Sequence, residues 1–344
     1  MTVERQSTVA RCVVIAEAGV NHNGDIALAH RLVDVAADAG TDVVKFQTFR
    51  ADAIATGSAP KAAYQNRTTG EGSQVEMLRR LELSEAAHRE LKQHAEERGL
   101  LFASTAFETE GVDFLVGLGV PFLKVPSGEI TNYPLLAHIA SKQCPVILST
   151  GMSTLTEVQR AVRWLGDGPR PSERLPALTV LHCVTAYPAP SDQLNLRCVQ
   201  TLADDIGVPS GYSDHSLGIE MSIAAVALGA SVIEKHFTLD RGLRGPDHAA
   251  SLEPGELATM VAAIRGVAVA LGDGVKVPAP CERENIAIAR RAIVAARAIH
   301  AGEAFSRENL ALKRPAMGVS AAQWQDVIGR CAPREFRPDE LIEL

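Results

Sequence analysis

Polar and charged side chains close short apolar runs at eight places along this chain. Glu17 follows VVIA, with Asn21-His22-Asn23 just beyond. Lys45 and Gln47 lie in VVKFQ, Ser104 and Thr105 close FAST, and Lys124, Ser127 and Glu129 belong to FLKVPSGE. Ser149 and Thr150 end ILST, and His182, Thr185 and Tyr187 follow LTVL. Ser213, Asp214 and His215 form one further group, and Glu234, Lys235 and His236 another. The lysines and hydroxyls are donors suited to a small dianion carrying phosphate and carboxylate groups. A lysine emerging from a β-branched run could instead form a Schiff base. Two imidazoles at neighbouring run ends, His215 and His236, can share a metal ion with positions left open for substrate. They can equally be two satisfied structural histidines, and spacing alone does not choose. His182, after an apolar run, reads as structural. Glu17, Glu129, Asp214, Glu234 and Asp247 supply carboxylates for charge balance, proton transfer or hydroxyl recognition. Glu234 reads as a partner of Lys235 or of a metal-bound histidine.

The elements that must position these groups alternate in type. Strands are expected at 13–16, 43–46, 101–104, 122–125, 146–149, 178–182, 208–211 and 232–235. Most are spaced by about one βα unit. The wide gap between the second and third holds 50–83, a polar stretch with several Gly, Gln and Thr, which reads as a long loop over one end. Helical periodicity covers 26–39, with Asp25 as N-cap and Gly40 as stop, and also 84–98, 219–228 and 256–271. Eight such units imply a closed (β/α)8 barrel, whose site lies at the C-terminal strand ends. A doubly wound sheet would want a G-x-G-x-x-G turn, and GVNHNG is not one. The pattern stops near Gly274. The expected division is a barrel over 1–274, a proline-containing linker over 275–284 and a small domain over 285–344, where AIVAARAI and ALKRP alternate with turns.

The chain has 344 residues, 46% hydrophobic and 22% charged, with a net charge of −7. That balance supports neither a nucleic-acid nor a membrane-surface role. Six cysteines without any C-x-x-C argue against a zinc knuckle or a disulfide framework and fit a reducing cytoplasm. No uninterrupted apolar run reaches membrane-spanning length, so no transmembrane helix is expected. The first residues lack the apolar core of a secretory signal.

The segments IAEAGVNHNGD, VVKFQTF, STAFE, KVPSGEITNYPLL, ILSTGMST, LHCVTAYPAP, GYSDHSLGIE, IEKHFTLDRGLRGPDHAASLEP and KRP together resemble the sialic acid synthase family. AARAIHAGEAFSRENLALKRP resembles the antifreeze-like (SAF) domain that members carry after the barrel. The resemblance implies condensation of phosphoenolpyruvate with an N-acylated mannose-type sugar. It implies a divalent metal, manganese with magnesium or cobalt as alternatives, on His215 and His236, where it would activate the sugar aldehyde. Lys45, Thr105, Lys124, Ser127, Ser149 and Ser213 would hold phosphoenolpyruvate. Glu17, Tyr187 and Asp247 would meet the sugar, Gln47 would bind substrate, and Glu129 would handle a proton or orient water. Arg314 would reach the N-acyl group in a partner subunit, which implies a domain-swapped homodimer. Val184, Ala186 and Ala106, and the Ala316-Met317 pair after KRP, depart from the commoner pattern. N-acetylmannosamine, giving N-acetylneuraminate, is the first expectation for the sugar. The alternative is 2,4-diacetamido-2,4,6-trideoxymannose, giving N,N'-diacetyllegionaminate. The pseudaminate branch and a Schiff-base aldolase stand further off.

Overall fold

The computed structural model describes residues 12–172 and 175–344. Residues 1–11, read above for a leader, lie outside them. The chain forms two compact units, Met1–Asp273 and Gly274–Leu344.

The first unit is a closed parallel barrel of eight strands in sequence order. These are β1 (Val13–Gly19), β2 (Val43–Thr48), β3 (Leu101–Ala106), β4 (Leu123–Val125), β5 (Val146–Ser149), β6 (Leu178–Cys183), β7 (Ser210–Asp214) and β8 (Val232–His236). β1 closes the ring on β8, with Glu17 opposite His236. Side chains on a strand alternate between faces. Ile15, Val43, Ala103, Phe122, Ile147, Leu181 and Val232 therefore meet inside, in one apolar cluster that plugs the lower barrel. Their outward neighbours, among them Val14, Val44, Phe102, Leu123, Val180 and Ile233, pack against the helices. Two positions further along each inner row the side chains turn polar, and there the site begins. Gly211 belongs to the plug. A Cβ there would collide with the Val232 carbonyl oxygen and lie 2.6 Å from Leu181 Cδ2, so a larger residue forces the strands apart.

Local chemistry fixes the helices. Ile26–Asp38 starts at Asp25, whose side chain accepts from Ala27 N, and Gly40 follows its end with φ +75°. Glu85–Glu97 is capped in the same way by Ser84.

Two expectations change. The seventh strand is Ser210–Asp214, later than the 208–211 segment. Pro209 offers no N–H to a ladder, and the small polar run SGYSD pairs instead. The stretch 50–83 is not a plain loop but carries the helices Ala51–Ile54, Ala63–Thr69 and Gln74–Arg79. Ser73 and Glu76 form a capping box at the last of these. Pro254–Leu271 is, by length and composition, long and apolar enough to cross a membrane. Here it is the last barrel helix, burying Leu257, Met260, Val261 and Ile264 in the core. Its Arg265 donates to the Cys12 carbonyl and pairs with Asp42.

In the second unit β9 (Ala292–Ala295) pairs antiparallel with β10 (Leu310–Lys313). They enclose a small core of Ile293, Ile299, Phe305, Leu310, Phe336 and their neighbours. The segment expected as a linker, 275–284, falls within this unit. It contains the turn Pro280–Glu282 and the first residues of a helix, Arg283–Ala289.

Candidate active site

The inner row above the apolar plug consists of Glu17, Lys45, Thr105, Lys124, Ser149, Cys183, Ser213 and Glu234. With Gln47, Ser127, Thr185, Tyr187, His215 and His236 they line a cavity of about 240 Å³ at the C-terminal strand ends. Lys45 Nζ lies 2.6 Å from Glu17 Oε2 and 3.7 Å from Glu234 Oε2, and donates to Thr105 Oγ1 at 2.8 Å. Lys124 Nζ donates to Ser149 Oγ at 2.7 Å and lies 3.7 Å from Glu234 Oε1. Ser213 Oγ donates to Glu234 Oε1 at 3.2 Å, and Gln47 Nε2 to Glu17 Oε1 at 3.3 Å.

Two ammonium groups thus share two carboxylates in a space with almost no exposure. Burial lifts Glu17 to about 7 against the pull of Lys45. Burial also pushes Glu234 up, but Lys124, Lys45 and His215 outweigh it and hold its carboxyl below the usual range. Burial favours the neutral amine at both lysines. At Lys45 the carboxylates prevail and its pKa is raised, whereas at Lys124 burial prevails and its pKa is lowered. The hydrogen bonds of this cluster are incomplete. Glu234 Oε2 and Thr185 Oγ1 are buried without a hydrogen-bond partner. Such atoms are costly to bury, and the carboxylate oxygen calls for a donor, a water or a hydroxyl, among them.

His215 and His236 face one another at the top of the same wall, with ring centroids 5.5 Å apart. The Tyr187 ring lies against His215, tilted by 36° with centroids 4.2 Å apart. His215 Nδ1 donates to the Val184 carbonyl at 2.8 Å, which leaves its Nε2 lone pair free to bind a cation. His236 Nδ1 is buried without a partner, and burial holds its pKa far below the usual range, so the ring is neutral. Burial lowers the pKa of His215, but Cys183, the Val184 carbonyl and Glu234 outweigh it and raise it to about 9, so a divalent cation held by the two rings would displace a proton from His215. Among the described residues no group of three or more His, Cys, Asp or Glu is arranged to hold one. The protein side of such a site would therefore be two nitrogens, with the remaining positions open to substrate and water.

Of the expected residues, Glu17, Lys45, Gln47, Thr105, Lys124, Ser127, Ser149, Tyr187, Ser213, His215 and His236 converge on this cavity. Three do not. Glu129 is half-buried outside the lining, in the turn Ser127–Glu129, and its Oε2 accepts from Asn132 Nδ2 at 2.6 Å. Asn132 caps the helix Tyr133–Ala140, so this contact ties Glu129 to a helix start. Asp247 is buried beside the site rather than in its lining, and burial raises its carboxyl to about 6. Arg314 belongs to the second unit. It is exposed, and its Nε donates to the Ala289 carbonyl.

Other strand-end residues turn away, since period-two alternation puts them on the outer face. Ser104 bonds Thr48. His182 bonds the Leu194 carbonyl, the structural role expected of it. Lys235 pairs with Asp214 rather than with Glu234. Glu234, read above as a partner of Lys235 or of a histidine, is instead the carboxylate between the two inner lysines. Cys183 was missed, although it stands two residues after Leu181 on the same inner row, and the alternation would have found it.

An eight-stranded barrel with lysines, hydroxyls and paired histidines at its C-terminal mouth defines a barrel enzyme handling a small anionic substrate. Residues 32–276 match the NeuB family and 290–343 the SAF domain, and the chain belongs to that family. It is a synthase of the kind that condenses phosphoenolpyruvate with a sugar. It is 48% identical to the N,N'-diacetyllegionaminic acid synthase of Campylobacter jejuni over 96% of this chain and 99% of that one. The N-acetylneuraminate-9-phosphate synthase of Homo sapiens is 38% identical over 88% and 83%. Among solved structures, the N-acetylneuraminic acid synthetase of Leptospira borgpetersenii superposes with a TM-score of 0.71 at 36% identity. That match covers 81% of this chain and 91% of that one.

Proposed function

We propose that this chain condenses phosphoenolpyruvate with 2,4-diacetamido-2,4,6-trideoxymannose to give N,N'-diacetyllegionaminate and phosphate. The observation that carries the choice of sugar is the 48% identity to a synthase of that product, spread over nearly both whole chains, against 38% to the human synthase. It reverses the order expected from the sequence, where N-acetylmannosamine came first.

The chemistry follows the cavity. Lys45 and Lys124, with Thr105, Ser127, Ser149 and Ser213, form the cradle for the phosphate and carboxylate of phosphoenolpyruvate. An anion seated there would accept from the two ammonium groups and from the hydroxyls around them. C3 of phosphoenolpyruvate attacks the sugar aldehyde, leaving positive charge at C2. Water adds to C2, and phosphate departs with the C2–O bond. Glu17, whose pKa of about 7 suits proton exchange near neutrality, faces the reacting end with Gln47 and Tyr187. Asp247 is assigned to the sugar hydroxyls. Glu129, through Asn132, orients the turn that carries Ser127. A divalent cation, manganese by preference, would be held by His215 and His236 and would polarise the aldehyde oxygen. Arg314 would meet the N-acyl group across a domain-swapped homodimer interface in a cytoplasmic enzyme.

The test is phosphate release from phosphoenolpyruvate by metal-stripped protein, with and without Mn²⁺, on both sugars. Release that needs metal, with kcat/KM at least tenfold higher for the diacetamido sugar, is the expected result. A preference for N-acetylmannosamine overturns the choice of sugar. Release that persists without metal overturns the histidine assignment. Reductive trapping of Lys45 or Lys124 by borohydride would make the reaction a Schiff-base aldolase.

A further inference from the structure

A second cavity, of about 600 Å³, opens among the loops that follow β1, β2 and β8. None of its lining residues belongs to the catalytic cavity. Four cations line it: Lys61, Arg67, Arg80 and Arg244. They stand against two carboxylates, Glu71 and Glu76. Glu76 is already engaged, accepting from the backbone N–H of Ser73 at 3.0 Å as a helix cap. Arg80 acts on Glu76 only through charge, without a close ion pair. Among the described residues none of the four cations forms an ion pair, whereas seven other arginines, Arg79, Arg89, Arg98, Arg241, Arg265, Arg297 and Arg334, do.

Lys61 is the most informative of them. It is 8% exposed. Its ammonium donates to the Gly70 carbonyl at 2.6 Å and to Thr69 Oγ1 at 3.2 Å, and meets no carboxylate. A lysine has three N–H donors, so one is unassigned. A buried ammonium held only by neutral oxygens lacks the counter-charge that burial ordinarily requires. Around it stand three guanidinium groups, whose forked donors match phosphate oxygens two at a time.

We propose that this cavity is a second binding site, for the phosphate group of a small metabolite. Lys61 would sit at its base, with Arg67, Arg80 and Arg244 closing on the phosphate oxygens. The cavity holds more than a bare phosphate ion, so the ligand class is a phosphate monoester carrying a sugar-sized group. The phosphate can come from a free effector or from a phosphorylated sugar substrate. A 6-deoxy sugar has no 6-hydroxyl to esterify, so the free effector is the source that agrees with the proposed reaction.

The test is calorimetric titration of the full chain with glucose 6-phosphate, inorganic phosphate and, as uncharged control, glucose. Arg80→Ser/Arg244→Ser is compared with the wild type. Both arginines are exposed, so the fold should hold, and a thermal melt checks it. Arg67→Ser is the substitute if it does not. The catalytic lysines contribute any phosphate binding that both proteins share. The wild type should show one additional event with glucose 6-phosphate, weakened at least tenfold in the variant and also weakened by raising salt. Glucose should not bind there, and basal turnover should be unchanged. Identical isotherms for wild type and variant overturn the site, whatever the reaction proves to be. Turnover of N-acetylmannosamine against its 6-phosphate separates the sources. A preference for the phosphate that vanishes in the variant would assign the cavity to substrate. Equal turnover with the extra binding event retained assigns it to an effector.

Discussion

Two buried ion-pair clusters lie back to back across the same pair of strands, β7 and β8. On the outer face Asp214 accepts from Ser216 N at 2.8 Å, Ser216 Oγ at 2.6 Å, Ser222 Oγ at 2.7 Å and Lys235 Nζ at 2.8 Å. Lys235 also donates to the Ser216 carbonyl, and both charged side chains are fully buried. One residue away in sequence, Ser213 and Glu234 point inward and join Lys45, Lys124 and Glu17, where the hydrogen bonding is incomplete. The same residue types thus serve opposite ends. The outer cluster is satisfied by the fold itself and bolts together the strands that present His215 and His236. The inner one leaves a carboxylate oxygen of Glu234 without a donor and opens its ammonium and hydroxyl groups toward the cavity.

The largest effect should come from the inner side. Lys124→Met should lower kcat/KM by about a thousandfold or more, roughly 4 kcal/mol of transition-state stabilisation, while the melting temperature stays near that of the wild type. Steady-state kinetics and calorimetry together check it. A melting point that drops along with activity would mean that the inner cluster also holds the fold.

Lys235→Met is the mirror experiment. It leaves the Asp214 carboxylate buried without its ammonium, which costs about 3–5 kcal/mol, measured by urea denaturation. The fraction that remains folded should turn over close to normally. A stable but inactive Lys235→Met would show that the outer pair sets histidine geometry rather than fold strength.

The sequence revealed these two clusters unequally. Eight apolar runs in a βα rhythm were enough for the barrel, because each strand is buried and β-branched. The polar strand ends were legible too, yet reading every residue near an end as a rim residue merged two faces. Ser104, Asp214 and Lys235 differ from Thr105, Ser213 and Glu234 only in parity. Parity becomes certain only when the strand limits are known, and β7 was placed too early. The helices within 50–83 are short, with few buried positions, so periodicity is faint there. The Ser73–Glu76 capping box was their clearest sign. Glu129 carries no signal in sequence that its carboxylate turns to Asn132.

The apolar plug beneath the inner cluster gives a smaller test. Gly211→Ala inserts a methyl where Val232 and Leu181 already sit. Overpacking of this kind costs about 1–3 kcal/mol. Because Gly211 lies two residues before Ser213 on the same row, the shift should also raise KM for phosphoenolpyruvate a few-fold. A change in stability with KM untouched would show that plug and site are mechanically separate.

The smallest effect tests whether an unsatisfied carboxylate always implies binding. Glu108, near the end of β3, also has a buried oxygen, Oε2, without a partner. It is only part-buried, lies outside the catalytic cavity, and burial raises its pKa to about 7, with Glu110 adding to the shift and Arg50 opposing it. A carboxyl whose folded pKa is raised binds a proton that the unfolded chain has released, so it favours the folded state below about pH 4.5. That contribution is lost as pH climbs toward 7. Glu108→Gln keeps the shape and removes the titration. The variant should therefore melt at most a few degrees higher than the wild type at pH 8 and no higher at pH 4.5, with turnover unchanged. The difference between the two melting curves across that range is the measurement. If turnover falls instead, the unsatisfied oxygen of Glu108 belongs with that of Glu234, and the inner cluster extends beyond the barrel wall.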